Sequence, residues 1–512
     1  MQRPATVRSA IKLSLALALA ACGGGGGPSG PGVLPPPNPP SSGTPFRNAP
    51  AVRARNGVAA ADLRVTVNPS TGLPAFEFGG KIGVAPTFDV SPGDRIVIRL
   101  HNALTGGGMQ NDINLHFHGM SVSPRAPGDD VLTMMASPGE TLHYDVLVPK
   151  NQQPGLYWYH PHIHGETNYQ VGLAGMSGAI VVEGLSQSDL SLAKMKERII
   201  IVRDVQDGPG SRVANRPKPM DEDQNAHPCG PDQGVHLTTN NVVRPTIRIA
   251  PGESQFFRVV NATGHRHLVL QVDGQQLQVV AIDGYALNVN PGDPPVMNVN
   301  RYVIPVAGRV EFVVTGPASG TSELRTLCYN SGPGGDPDPP EILADIRAPD
   351  RSDARDEPAA GPMLPRLGTA TVKPLVVPKA TTQRLVRLTE DANGFYINGQ
   401  AFQPDARAMF SPKDGTVEQW TVLNLTQEVH DFHMHQVHFL VQSINDAPVT
   451  DPHWADTIVV PPRIPGANGT FKPGSVVVLA DFRSPAIRGM SLFHCHILDH
   501  EDAGMMAKMQ IL

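Results

Sequence analysis

The sequence predicts an all-β chain made of three consecutive copies of one β domain. Composition, length and a degenerate repeat each point that way. The 512 residues include 51 Gly and 51 Pro, and only 5% are aromatic. So many turn-forming residues suit short strands joined by tight connections. At roughly 150 residues per domain, the length suggests about three domains. The 40% of residues that are hydrophobic, against 17% charged, can supply real cores.

The repeat counts the domains more directly. Ser91-Pro92-Gly93-Asp94 leads through Arg99-Leu100 to Asn102. Ala250-Pro251-Gly252-Glu253 leads through Arg258-Val259 to Asn261. Lys413-Asp414-Gly415 leads through Trp420-Thr421-Val422 to Asn424. In each unit the Asn lies nine residues after the Gly, and the Gly-to-Gly offsets are 159 and 163. Each reads as a turn followed by an alternating or apolar strand. A second similarity joins the first and third copies, where Tyr159-His160-Pro161-His162 lies over Phe493-His494-Cys495-His496. Pro161 stands where Cys495 stands, so the first copy has the His pair without the thiol. The second copy has neither.

In chain order, residues 1–22 read as an export signal. Arg3, Arg8 and Lys12 precede an apolar stretch, Leu13 to Ala20, too short to span a bilayer. With no Arg-Arg pair, the general secretory route is favoured. Leu19-Ala20-Ala21-Cys22 resembles a bacterial lipobox, which would lipidate Cys22; ordinary cleavage after Ala18-Leu19-Ala20 is the alternative. The expected location is periplasmic or cell-surface, anchored by lipid. Residues 23–51 are a Gly/Pro-rich tether. The domains are expected at 52–184, 185–345 and 371–512, with a linker over 346–370 and a short connecting helix over Ser188 to Arg198. A net charge of −6 and no long basic run argue against a nucleic-acid partner.

Ten of nineteen histidines fall in four short motifs: His116 and His118; His160 and His162; His430, His433 and His435; His494, His496 and His500. One His-x-His is weak, but four such motifs divided between the first and third domains are hard to assign to core packing. Residues two apart on a strand face the same way. Each His-x-His therefore presents two imidazoles on one face. In His494-Cys495-His496 the thiol faces away from its neighbours and must serve a different site. A thiolate, two imidazoles and a weak axial Met form the blue-copper electron-transfer set. Cys495, His500, Met505 and His430 can supply it. The other eight imidazoles suit copper, zinc or iron. Copper is the consistent choice beside a blue-copper site, because zinc has no redox chemistry.

These segments carry a family resemblance. Asn114-Leu115-His116-Phe117-His118-Gly119, Trp158-Tyr159-His160-Pro161-His162, His430-Asp431-Phe432-His433-Met434-His435 and His494-Cys495-His496-Ile497-Leu498-Asp499-His500 with Gly504-Met505 resemble the four copper-binding segments of the multicopper oxidases. The resemblance runs from about Val52 to Leu512 and implies three cupredoxin-like Greek-key β-sandwich/barrel domains of the laccase-like branch. It implies four coppers. A type 1 copper would be held by His430, Cys495 and His500 with Met505 axial. A type 2 copper would be held by His116 and His433. A type 3 pair would be shared by His118, His160, His162, His435, His494 and His496. The middle domain would be a copper-free spacer. Two positions depart from the family pattern: Asp431 stands where Pro is frequent, and Gln436 where Gly is.

The resemblance also implies dioxygen as acceptor and a small reducing substrate, a phenol or aromatic amine, with His500 as the edge where electrons arrive and His430 as the alternative. Oxidation of cuprous, ferrous or manganous ions is the alternative, although no Met-rich insert is present. A non-catalytic electron carrier is the third reading. Glu501, beside His500, resembles a proton donor to the oxygen site, and Asp129 or Asp130 is a second candidate. Each could equally be a loop or capping carboxylate. His164 and His438 read as supporting or surface residues, and His265 and His267 as a structural relic. With Cys22 and Cys495 otherwise engaged, Cys229 and Cys328 are expected to pair; two unlinked thiols are the alternative. A monomer is expected.

Overall fold

The structure, a computed structural model, describes residues 40–185, 192–206, 229, 235–287, 296–336, 338–349, 379–450 and 452–512. The signal peptide, Cys22, most of the tether and most of the linker lie outside the described residues. Three pairs of sheets follow one another, within 51–182, 196–347 and 382–511.

Each pair repeats one motif around the Asn of the sequence repeat. The strand Arg95–Asn102 runs between Val58–Val67, parallel, and Thr141–Leu147, antiparallel. Ser254–Asn261 runs between Lys196–Gln206, parallel, and Arg309–Thr315, antiparallel. Val417–Asn424 runs between Thr382–Asp391, parallel, and Gly474–Asp481, antiparallel. Gly93, Gly252 and Gly415 have φ of +99°, +74° and +79°. Glycine adopts that left-handed turn without a Cβ penalty. The Asn at the far end closes the same corner three times. Asn102 Nδ2 donates to the carbonyls of Asn111 and Ala136, Asn261 Nδ2 to those of Arg266, Ile304 and Pro305, and Asn424 Nδ2 to those of Glu428 and Val460. A buried amide so satisfied fixes where the strand stops.

Within each pair the core lies between the sheets. In the first, Leu63, Ile96, Ile98 and Tyr144 meet Phe88, Phe117, Tyr159 and Ile180. In the third, Val386, Trp420 and Val476 meet Phe432, Phe493 and Met509. Arg95–Asn102 alternates between core and outer face. Ser254–Asn261 is buried at every residue, as a strand covered on both faces must be. At one seam the backbones nearly touch. A Cβ on Gly155 would sit 2.6 Å from the Gly284 Cα, so no side chain fits there.

Two expectations are corrected. The connecting helix shrinks to one 3-10 turn, Leu192–Lys194, followed by the strand Lys196–Gln206; residues 186–191 lie outside the described residues. Ile199, Ile200, Ile201 and Val202 are β-branched and pair in parallel with Arg258–Asn261, so sheet pairing wins over helix. The strand Glu341–Arg347 extends into the segment expected as linker. Cys229 and Cys328 form a disulfide across 99 residues of sequence. Among the described residues no helix is long and apolar enough to cross a membrane.

Candidate metal centres

The thiol site is assembled from one strand and the helix that follows it. Cys495 ends the strand Gly489–Cys495, and His500 lies on the short helix Leu498–Asp502. His430 opens the neighbouring strand His430–Met434, where Phe432 pairs with Cys495. Cys495 Sγ is 3.6 Å from His430 Nδ1 and 3.7 Å from His500 Nδ1, and the two Nδ1 atoms are 3.1 Å apart. The outer nitrogens are held elsewhere: His430 Nε2 lies 2.9 Å from Thr426 Oγ1, and His500 Nε2 lies 3.4 Å from Glu428 Oε1. Both rings thus turn Nδ1 inward. Met505 is fully buried, and its carbonyl accepts from the Cys495 N–H at 3.0 Å. Burial, with the Asp431 charge second, pushes the Cys495 thiol well above its usual range. Without a cation the thiol keeps its proton, so a metal must displace it.

The other eight imidazoles converge from both ends of the chain. Strand pairing sets His116 opposite His160 and His433 opposite His494. Across the join, His116 stacks on His435 at 3.8 Å and His118 on His433 at 4.0 Å. The Asn114 side chain bonds both the N–H and the carbonyl of His162, tying the two first-domain segments together. All eight rings are buried. Burial lowers His118 to about 4 and His162 to about 3, and takes His116, His160, His433, His435 and His496 well below their usual value. These seven rings are neutral near pH 7, the form a metal binds.

The donor set fits metal ions. Buried imidazole nitrogens normally find partners. Here His116 Nε2, His118 Nδ1, His160 Nε2, His162 Nδ1, His433 Nε2, His435 Nδ1 and both nitrogens of His496 have no hydrogen-bond partner among the described residues. His494 Nε2 faces His435 Nε2 at 3.0 Å and His162 Nε2 at 3.5 Å. Groups such as His116/His118/His160, His162/His435/His494 and His430/Cys495/His500 could each hold an ion. The soft thiolate with two imidazoles suits copper in the last group.

Surrounding residues fix which nitrogen faces inward. Asp129 binds His116 Nδ1 at 2.9 Å and is itself held by Gln436 Nε2 at 2.7 Å; burial pushes its carboxyl up to about 8. Asp130 turns away and caps the turn at Leu132 and Thr133. Of the two aspartates, then, only Asp129 touches the site. Glu501 accepts from Thr167 Oγ1 at 2.9 Å and lies 3.4 Å from His162 Nε2 and 3.2 Å from His494 Nδ1. Burial works against its charge, yet the neighbouring His162 and His494 draw its pKa far down. Asp456 accepts from His118 Nε2 at 3.1 Å, while its carbonyl takes His433 Nδ1 at 2.8 Å. Arg309 of the middle domain grips Asp456 through two bonds, 2.7 and 2.6 Å.

The ten histidines and Cys495 expected as ligands lie in the two clusters, and Met505 is buried in the same core as Cys495. His438 is buried, 3.3 Å from Asp456 through Nε2. His164 is part-buried against Phe402. His267 is no relic, since it bridges two buried carboxylates. His500 offers little edge: it is 1% exposed, and Phe395 stacks on it at 4.1 Å. Arg309, Asp456, Glu428 and Phe395 carry no short-range motif and were not foreseen. Gln436 was visible only as a departure. It sits at φ +59°, where Gly would be unstrained, and gains the bond to Asp129.

Residues 66–187, 207–322 and 376–512 each match a family model described as multicopper oxidase. A multicopper oxidase of Staphylococcus aureus is 23% identical over 441 residues, covering 84% of this chain and 82% of the relative. A laccase of Bacillus subtilis (strain 168) is 25% identical over 400 residues, covering 73% and 72%. The solved multicopper oxidase of Campylobacter jejuni, described as a metallo-oxidase, shares the fold with TM-score 0.72 at 22% identity, covering 92% of this chain and 96% of that one.

Proposed function

This chain belongs to the multicopper oxidase family, and on that premise we propose that it oxidises a small phenol or aromatic amine, one electron at a time, and reduces dioxygen to water. It is a copper-dependent oxidoreductase with oxygen as acceptor. The observation that carries the proposal is the adjacency of the two centres: Cys495 serves one, and its chain neighbours His494 and His496 serve the other.

When bound, copper supplies the redox chemistry at one type 1, one type 2 and two type 3 positions. The chain's own residues do the rest. His430, Cys495, His500 and Met505 would hold the type 1 ion; His116 and His433 the type 2; His118, His160, His162, His435, His494 and His496 the type 3 pair. The peptide links around Cys495 are the shortest covalent path between the centres. Burial keeps His116, His118, His160, His162, His433, His435 and His496 neutral. Glu501 and Asp129, on opposite flanks, are the groups proposed to hold protons for oxygen reduction.

Glu428, itself buried, lies 3.4 Å from the outer nitrogen of His500 and orients that ring. A second reading, oxidation of cuprous, ferrous or manganous ions, is favoured by the likeness to the Campylobacter jejuni structure described as a metallo-oxidase. Export with a lipidated Cys22, and a monomeric state, complete the proposal on sequence grounds.

Oxygen uptake by copper-loaded protein, with phenols, aromatic amines and metal ions as donors, tests it. Four electrons from a phenol should be consumed per dioxygen, and Cys495→Ser should abolish both uptake and blue colour. Turnover of metal ions alone would select the second reading. A Ser variant with full activity and colour would overturn the scheme, as would one copper per chain without oxygen uptake.

A further inference from the structure

His267 stands just before the middle-domain strand Leu268–Val272, buried to 2% exposure. Its Nδ1 lies 3.0 Å from Asp338 Oδ2 and its Nε2 lies 3.1 Å from Asp431 Oδ1. Both carboxylates are buried. A ring that meets an acceptor at each nitrogen must donate from both, which only imidazolium does. The Tyr329 ring stacks on it at 4.5 Å. Burial opposes the charge, but the two carboxylates outweigh it and raise His267 to about 10.

Asp431 is the far end of this chain of charges. Its second oxygen accepts from the Val306 N–H, also of the middle domain, at 2.8 Å. Its backbone lies between the two copper centres: it follows His430, and its carbonyl accepts from the His496 N–H at 2.7 Å. The residue after it, Phe432, pairs with Cys495 across the strands. A buried carboxylate this close to a thiolate–copper bond favours the cupric state, and a cation clamped on that carboxylate opposes it.

We propose that Asp338, His267 and Asp431 form a charge clamp through which the middle domain sets the reduction potential of the type 1 site, with His267 a positioning residue that acts through Asp431. This rests on the proposed ligand set His430, Cys495 and His500. The clamp gives the middle domain an electrostatic role in addition to its spacing role. It also accounts for Asp431 where the family often has Pro, since only a hydrogen-bond acceptor can engage both His267 and the Val306 N–H.

The test is a redox titration of the blue absorption band in the copper-loaded full chain, comparing wild type, His267→Gln, Asp431→Asn and the double variant. His267→Gln removes the cation and should shift the cupric/cuprous equilibrium at least tenfold toward cupric, a fall of about 59 mV for one electron. Asp431→Asn removes the anion and should shift it at least tenfold the other way. The double variant should return to within about threefold of wild type. Loosened packing would move both single variants in one direction, so opposed shifts identify charge. Single variants that keep the blue band and both stay within threefold of wild type, or that both shift the same way, overturn the clamp alone. Should His267→Gln fail to fold, Asp431→Asn decides alone. A wild-type protein with no blue band overturns the ligand assignment, and the clamp with it.

Discussion

Arg309→Met is the perturbation whose size the structure fixes best. Arg309 is buried in the middle domain, and its guanidinium makes two bonds to Asp456 at 2.7 and 2.6 Å, with Asp283 at 3.3 Å and the Leu156 carbonyl at 3.3 Å. Met fills similar volume, so the cavity contribution is small. What remains is a fully buried Asp456 carboxylate stripped of its cation. Breaking a buried pair from one side costs about 3–5 kcal/mol. At about 2–4 °C per kcal/mol for a domain of this size, the melting transition should fall by roughly 6–20 °C. Calorimetry of the copper-loaded chain measures it. Asp456→Asn in the same background removes the stranded charge and should recover part of the loss, so the two changes are far from additive. A fall below about 2 °C for Arg309→Met, or strict additivity in the double variant, would refute the reasoning.

Three further outcomes are expected. Glu501→Gln should lower oxygen uptake by about 10²- to 10⁴-fold while copper content, read by metal analysis, stays at wild-type level. Asp129→Ala removes the group that aligns His116, and competition with a chelator should show the type 2 copper held about 10- to 100-fold more weakly. The folded pKa of His267, about 10, lies above its ordinary value of 6.5. Its stabilising contribution is therefore complete below about pH 6.5 and lost as pH climbs through about 10. Denaturation of wild type and His267→Gln across that range should show a wild-type advantage of a few kcal/mol, roughly, that vanishes at the alkaline end.

The histidine and cysteine clusters were legible because their chemistry has a short period. A strand puts alternate residues on one face, so His-x-His and His-Cys-His announce themselves within three positions. The domain count was legible for a similar reason. The Gly turn and the Asn corner bound one strand, and both are needed in every copy. The residues that orient the ligands follow no such period. Asp456 meets His118 across 338 positions, Arg309 meets Asp456 across 147, and Gln436 meets Asp129 across 307. Each is an ordinary polar residue until the sheets are assembled. The helix expected over Ser188 to Arg198 failed where a β-branched run found a strand to pair with.

The stacked imidazoles at the join have a consequence for biosynthesis. His162 and His494 meet across 332 positions, and the eight-imidazole cluster is complete only when both ends of the chain contribute. Closing so long a loop is slow and entropically unfavourable before its contacts form. A nascent first domain therefore offers an incoming ion at most a partial set such as His116, His118 and His160, and the eight-ring receptacle appears in one late step, when distant segments dock. Order of events is thus written into the topology: the polypeptide must finish folding before it can hold its full complement of metal.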